Sequence, residues 1–210
     1  TIEPTVSAAV SRPFVVFDGT LFHSKPDLSR HGVKPLKIIY VREFGEEWYN
    51  GSGRMQPPDE NKVKQLAREV GAKESLVAID IEHWPLTGDE ITVHESVRKY
   101  QQVARWFHEA APALPIGFFG IVPMSAYGWS LTGHESSEYK AWQQINNRLI
   151  PLAQEVDVVF PHAYTYYSQP DQAAWVRYAE ENIKEARRYG KPVYVFLWFR
   201  YETLGINAEK

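Results

Sequence analysis

Two acidic residues, Asp80 and Glu82, stand two positions apart at the end of an apolar run. The segment reads Ser75-Leu-Val-Ala-Ile-Asp-Ile-Glu-His-Trp-Pro-Leu86, and its β-branched residues are typical of a buried strand. Because residues two apart on a strand point to the same side, the two carboxyl groups would share one face, with about 7 Å between their Cβ atoms. Such a pair at the mouth of a strand suits an acid catalyst and a partner that orients it.

The surroundings expected for this pair favour proton transfer. The small Ala78 would share the face of the two acids, whereas Ile79 and Ile81 would face a layer of helices. Burial and a second negative charge nearby both raise the pKa of a carboxyl group. Glu82 lies nearer the mouth, so we expect it to carry the proton and reach a substrate oxygen, while the deeper Asp80 orients it.

Strand-like and helix-like patterns alternate along the chain. The predicted strands are Pro13–Asp18, Leu36–Phe44, Leu76–Trp84, Ile116–Pro123, Val156–Tyr164 and Pro192–Phe199. The predicted helices are Asp59–Val70 with Gly71 as the stop, Thr92–Ala111, Ser136–Gln154 with a kink or early end at Pro151, and Asp171–Tyr189 before Gly190. This alternation predicts an α/β fold in which crossover helices join parallel strands.

Polar and aromatic residues gather at or just after the predicted strand ends, where barrel enzymes place their active sites. They are Asp18, Arg42, Asp80, Glu82, Trp84, Tyr127, His162, Tyr164 and Trp198. No glycine-rich phosphate loop follows the first strand, which argues against a dinucleotide-binding sheet. We therefore predict a (β/α) TIM-like barrel that forms one catalytic domain over residues 1–210. The six predicted strands fall short of eight, so the closing strands are either missing or lie beyond Lys210.

Composition argues against several kinds of partner and cofactor. The 210 residues carry a net charge of −3, which disfavours nucleic-acid binding, and no apolar run approaches the ~20 residues that span a membrane. The 7 histidines are scattered without metal-ligand spacing, so we predict no metal and no cofactor. The absence of cysteine is compatible with the secreted, cell-surface or periplasmic location that we expect. We expect a monomer.

The segment Asp80-Ile-Glu-His-Trp84 resembles the Asp-x-Glu-x-Trp segment of the hyaluronidase family of glycosidases. Other segments that resemble the family occur over about residues 36–201, in the same order as in the family. They are Ile38-Ile-Tyr40 followed by Phe44-Gly45, Gly117-Phe-Phe-Gly-Ile-Val-Pro123 with Tyr127 after it, Phe160-Pro-His-Ala-Tyr164, and Lys191-Pro-Val-Tyr-Val-Phe196.

The resemblance implies a glycoside hydrolase that cleaves β-linked N-acetylhexosamine-containing polysaccharides of the hyaluronan or chondroitin kind. In such enzymes the N-acetyl oxygen of the sugar attacks the anomeric carbon, so no protein carboxylate bonds to it. Glu82 would then be the general acid and afterwards the base, and Asp80 would orient the acetamido group. Tyr127 and Tyr164 would hydrogen-bond that group or the neighbouring sugar.

Further residues are candidates for contacts with the sugar. The resemblance implies stacking surfaces at Trp84 and Trp198. Asp18 and His162 also lie at predicted strand ends, and strand parity places His162 on the face of Tyr164. Tyr40 ends the family-like segment Ile38-Ile-Tyr40.

Three other interpretations are compatible with the residues. A glycosidase with two protein carboxylates would use Glu82 with Asp18 or Glu43, about 5 Å apart for retention or about 6.5–9.5 Å for inversion. A metal-dependent hydrolase would draw on Asp18, Asp80, Glu82 and His162. A non-catalytic sugar-binding barrel would keep the aromatic residues and need no acid with a raised pKa.

Overall fold

The computed structural model describes residues 14–125, 127–165 and 172–198, without the side chains of residues 52, 53, 127 and 130. The chain divides between Leu36 and Lys37 into two compact units. In the N-terminal unit, strand β1 (Phe17–Asp18) pairs in parallel with strand β2 (Lys34–Pro35), and a 3₁₀ helix (Ser29–His31) precedes β2.

The larger unit is built on a parallel sheet of three strands in chain order. These are β3 (Lys37–Tyr40), β4 (Val77–Asp80) and β5 (Ile116–Phe118). Single parallel bridges join Phe119 to Phe160 and Val159 to Val193, so two further segments continue the same order. Among the described residues no pairing joins the last segment back to β3, so the sheet does not close within them. The predicted α/β class with parallel strands is confirmed at this level.

Seven α-helices are assigned within the described residues. They are α1 (Glu46–Asn50), α2 (Glu60–Gly71), α3 (Glu90–Ala110), α4 (Tyr127–Ser130), α5 (Ser137–Arg148), α6 (Ile150–Glu155) and α7 (Gln172–Arg187). Two 3₁₀ helices, Val41–Phe44 and Ser52–Met55, flank α1. None of the helices in the described ranges combines the length and the apolar character needed to cross a bilayer.

Short polar side chains begin the long helices, as the sequence predicts for two of them. Asp59 accepts a hydrogen bond from the Lys62 amide at 3.0 Å, and Ser136 accepts one from the Tyr139 amide at 3.0 Å. Asp89 caps α3, which therefore begins two residues before the predicted Thr92.

The predicted helix Ser136–Gln154 is two helices, with Leu149 between them. Pro151 lies in the first turn of α6, where its missing amide hydrogen costs little.

The hydrophobic core lies between the sheet and the helices α2, α3 and α6. Ile39, Ile79 and Phe118 from the three strands point into it, together with Ile81 just after β4. The opposite face of the sheet carries small residues at its middle, where Ala78 pairs with Gly117. The Phe160 ring fills the space above Gly117, since a Cβ there would lie 3.0 Å from that ring and 2.3 Å from a backbone carbonyl oxygen. This face is the one that carries Tyr40 and Asp80.

The strands are shorter than the apolar runs predict. After β3 the chain turns into the 3₁₀ helix Val41–Phe44, because the Glu43 carboxylate accepts the Tyr40 amide at 2.9 Å and Gly45 takes a positive φ of 123°. Strand β4 ends at Asp80, so Glu82 lies in the loop after the strand rather than on it. Of the first predicted strand, Pro13 lies outside the described residues, as does Phe199 of the last.

Candidate active site

Asp80 and Glu82 lie together at the C-terminal end of β4. Asp80 is the last strand residue and is paired with Tyr40 of β3, so these two side chains share a face of the sheet. The carboxyl group of Glu82 lies within hydrogen-bonding reach of that of Asp80. Two carboxyl groups can form a hydrogen bond with each other only when one of them holds a proton, so the pair shares one proton.

The pKa of Glu82 is raised from 4.5 to about 7. Burial is the largest cause, followed by the hydrogen bond to Asp80 and the negative charge of that residue. Burial also raises the pKa of Asp80, whereas the hydrogen bond from Glu82 lowers it. Glu82 is therefore the member that holds the shared proton near neutral pH.

Glu82 is exposed as a residue although burial raises its pKa. The exposure of Glu82 reflects the surface that solvent can touch, whereas its pKa responds to all protein atoms around the carboxyl group. A carboxyl group with open surface and many protein neighbours lies in a recess. The protein atoms around the carboxyl group raise its pKa, and its open surface leaves it accessible to a substrate.

Two tyrosines border the acid pair from different sides. Tyr40 is half-buried, and its pKa is raised by burial and then by the negative charges of Asp80 and Glu43. Tyr100 of α3 is fully buried and donates a hydrogen bond to the Ile81 carbonyl oxygen at 3.0 Å. It therefore fixes the backbone between the two acids from the helix side. No sequence signal indicates this bond.

A group of rings lies on the same sheet face as Asp80, at the ends of β5 and of the two bridged segments. We call it the aromatic face, and it comprises Phe119, His162, Tyr164, Phe196 and Trp198. The Phe119 ring stacks on His162 with 5.6 Å between centroids and contacts Tyr164 at 5.9 Å. Tyr164 contacts Trp198 at 6.4 Å. All these rings are half-buried, so each keeps some surface to offer.

His162 is a neutral member of this face. Burial lowers its pKa to about 4. The hydroxyl group of Tyr178 lies 3.3 Å from its Nδ1 and donates to its carbonyl oxygen at 2.9 Å. Gly120, with a φ of 64°, passes close to the ring, and a Cβ there would lie 3.0 Å from it. A histidine held in this way can contact a substrate as an uncharged ring.

The prediction that Trp84 offers a stacking surface is wrong. Its indole is 1% exposed and packs edge-to-face on Tyr100 at 4.8 Å, and its Nε1 donates to the Arg54 carbonyl oxygen at 2.8 Å. A sugar cannot reach this ring. The sequence placed Trp84 on the strand, but the chain has already left the ladder, and the indole turns into the core.

Asp18 lies in the N-terminal unit and is described there alone. Burial by itself would raise its pKa, but hydrogen bonds from Lys25 and Thr20 lower it below its ordinary value. Its carboxylate forms an ion pair with Lys25 at 2.7 Å. Its role in substrate binding stays a prediction.

Two other candidates have different outcomes. Glu43, an alternative nucleophile, forms an ion pair with Lys37 at 2.6 Å and also accepts the Tyr40 amide, so its oxygens already have partners. Tyr127 begins α4, and its side chain lies outside the described part of the structure. Within the described ranges no three metal-ligating side chains lie close enough to hold an ion.

The sequence reasoning did not single out Phe119, which stands at the centre of the aromatic face. The signal was present, because Phe119 lies two positions beyond Gly117 and therefore on the same face of the sheet. Its amide donates to the Ile79 carbonyl oxygen at 2.9 Å, which places Phe119 beside Asp80.

Comparison with solved structures identifies the fold. The chain superposes on bee venom hyaluronidase in complex with a hyaluronic acid tetramer with a TM-score of 0.56 and 15% identity, covering 80% of this chain and 68% of that one. A monoclinic crystal form of bee venom hyaluronidase gives a TM-score of 0.51 and 14% identity, with 80% and 81% coverage. No sequence-family model matches the chain, and no curated protein matches it.

The protein therefore has an α/β fold. Bee venom hyaluronidase shares that fold with it, and the likeness agrees at the level of the fold with the family that the sequence segments resemble.

Proposed function

We propose that the protein is a glycoside hydrolase that cleaves β-linked N-acetylhexosamine-containing polysaccharides with help from the acetamido group of the substrate. The hydrogen-bonding contact between the carboxyl groups of Asp80 and Glu82 carries this proposal. Retaining enzymes with a protein nucleophile keep their carboxyl groups about 5 Å apart, and inverting enzymes about 6.5–9.5 Å. Two carboxyl groups in hydrogen-bonding contact leave no room for an anomeric carbon between them, which argues against Asp80 as a protein nucleophile.

Glu82 is the general acid in this proposal. With a pKa raised to about 7, it holds a proton at neutral pH and can give it to the glycosidic oxygen. The acetamido oxygen then attacks the anomeric carbon, forming a ring while the bond to the leaving sugar breaks. Glu82, now ionised, takes a proton from water as that water opens the ring.

Asp80 orients the acetamido group and stabilises the positive charge that develops on it. An ionised carboxylate has several acceptor sites, so Asp80 can accept the N–H of the acetamido group while it is also in contact with Glu82. Tyr40 faces Asp80 across the strand pair, which supports a proposed contact of Tyr40 with the same sugar. Tyr127 is proposed for a further hydrogen bond.

The aromatic face supplies the platform for further sugars. Rings with one open side stack on the apolar faces of pyranose rings, and Trp198 is the member of this face that the sequence predicts for stacking. Tyr164, which contacts Trp198, is the member predicted to hydrogen-bond the sugar. His162 adds an uncharged ring beside them. We propose that the parallel sheet belongs to a (β/α) barrel with this face toward its axis, and that the enzyme acts as a monomer, without a cofactor, outside the cytoplasm.

A substrate screen with an inhibitor tests this proposal. The purified protein is incubated with hyaluronan, chondroitin, chitin oligomers and neutral β-glucans, and reducing ends are measured. We expect cleavage of at least one N-acetylhexosamine polymer and inhibition by a thiazoline analogue of the sugar. Cleavage that the thiazoline leaves untouched would indicate a protein nucleophile, and cleavage of β-glucans alone would refute the acetamido mechanism.

A further inference from the structure

Glu82 lies outside the β ladder, so something else must hold it. Strand β4 ends at Asp80, two residues earlier, and the following residues to Trp84 form a loop. On one side of Glu82, the Ile81 carbonyl oxygen accepts the Tyr100 hydroxyl at 3.0 Å. On the other side, two consecutive side chains, His83 and Trp84, turn to a single acceptor.

That acceptor is the carbonyl oxygen of Arg54, in the 3₁₀ helix after α1. It lies 2.6 Å from His83 Nε2 and 2.8 Å from Trp84 Nε1. A carbonyl oxygen has two lone pairs, so it can accept both bonds at once. The two bonds tie the loop that carries Glu82 to a segment 29 residues earlier in the chain.

The tautomer of His83 follows from these contacts. Burial lowers its pKa most, the hydrogen bond with the Arg54 carbonyl oxygen raises it, and the positive charges of Arg54 and Lys99 lower it. The net shift is downward, so the ring is neutral near pH 7. A neutral imidazole has one N–H, and a carbonyl oxygen can only accept, so the hydrogen is on Nε2. Contacts with Trp48 at 5.3 Å and Trp84 at 5.3 Å fix the plane of the ring.

We propose that His83 is a positioning residue, whose Nε2–H bond to the Arg54 carbonyl oxygen keeps the carboxyl group of Glu82 in contact with Asp80. His83 is the better of the two donors to substitute, because it is half-buried, whereas Trp84 is part of the hydrophobic core. The effect of His83 on kcat rests on the proposed function, whereas its effect on the position of the Glu82 carboxyl group does not.

Two substitutions separate the hydrogen bond from the ring. His83→Phe keeps a flat ring against Trp48 and removes the donor. His83→Gln removes the ring but places an amide N–H the same number of bonds from the backbone, so it restores the donor. We expect His83→Phe to lower kcat about 10- to 100-fold with KM changed less than about twofold, since misplacement of an acid by an ångström has that scale of effect. We expect His83→Gln to recover most of the loss.

The pKa of the Glu82 carboxyl group, followed by ¹³C NMR, gives a readout that needs no substrate. Release of the loop weakens the hydrogen bond to Asp80, so this pKa should fall in His83→Phe and return in His83→Gln. His108 is the matched control, since its Nε2 lies 2.9 Å from Asp157 at the opposite end of the strands. Its Phe and Gln variants should leave both kcat and the Glu82 pKa unchanged.

The outcomes are distinct. A folded His83→Phe protein with wild-type kcat and wild-type Glu82 pKa would overturn the proposal. A ¹⁵N spectrum of the wild type with the His83 proton on Nδ1 would overturn it too, whether or not the variants fold. A fall in the Glu82 pKa in His83→Phe, in a protein that cleaves none of the polymers, would support the positioning role and refute the proposed function.

Discussion

Replacement of Asp80 by Asn tests how the acid pair shares its proton. In the wild type, burial, the hydrogen bond to Asp80 and the negative charge of Asp80 together raise the pKa of Glu82 to about 7. Asparagine keeps the shape of Asp80 but carries no charge, and its amide N–H stabilises the ionised form of Glu82. Both changes lower the pKa of Glu82 and leave burial as the cause that still raises it.

The size of the change follows from the order of the causes. The pKa of Glu82 rises from 4.5 to about 7, and burial is the largest of the three causes, so it accounts for a third of the rise or more. Loss of the other two therefore lowers the pKa by at most two thirds of that rise, and a fall of about one pH unit lies within this bound. The protonated fraction of Glu82 at pH 7 then falls from about one half to about one tenth, whereas near pH 5 both proteins keep most of the proton.

The assay is a pH profile of kcat on the polymer that the wild type cleaves. A general acid must be protonated, so the alkaline limb of the wild-type profile should lie near pH 7 and that of Asp80→Asn about one unit lower. The rate ratio of the two proteins should therefore be about fivefold larger at pH 7 than at pH 5. An alkaline limb at the same pH in both would refute the shared proton, however low the rate of Asp80→Asn is.

Three stability measurements check the surroundings of the pair. The pKa of Glu82 is higher in the folded protein than in the unfolded chain, so its contribution to the free energy of unfolding is fully present below pH 4.5 and is lost as the pH rises through about 7. Glu82→Gln removes this loss. Because Glu82 is partly exposed, the variant should be only about 1–2 kcal/mol more stable than wild type at pH 8 in urea denaturation. Equal stability at pH 8 would contradict the raised pKa. Tyr100→Phe should cost about 1–3 kcal/mol, because the Ile81 carbonyl oxygen loses its buried donor, and a change below about 0.5 kcal/mol would count against that bond. Gly117→Ala should lower the free energy of unfolding by about 1–3 kcal/mol or prevent folding, because the added Cβ has no space. Gly128→Ala is the control and should fold normally, since the space for its Cβ is open. A Gly117→Ala protein of wild-type stability would contradict the packing of the sheet face.

Helix starts and the facing of strand residues can be predicted from the sequence where a single residue type determines them. Asp59 and Ser136 begin helices because their side chains replace the missing acceptors of the first turn. The alternation of Ala78 and Asp80 with buried isoleucines predicts which face of β4 carries the acids. These signals depend on neighbours in the chain, so a single sequence carries them.

Features that depend on distant segments were not predictable in the same way. The end of β4 at Asp80 and the burial of Trp84 are set by the Arg54 carbonyl oxygen and by Tyr100, which lie far along the chain. Periodicity gives no sign of either contact. The contact between the carboxyl groups of Asp80 and Glu82 also depends on the end of the strand at Asp80, since a straight strand would keep their Cβ atoms about 7 Å apart.

Hydrolysis of N-acetylhexosamine polymers by Glu82→Gln is the most direct measurement of the central claim. Glutamine keeps the size of Glu82 but cannot donate a catalytic proton, so the account predicts a fall in kcat of roughly 10²- to 10⁴-fold, with the fold intact by circular dichroism. A Glu82→Gln protein that cleaves the polymer at the wild-type rate would contradict the account.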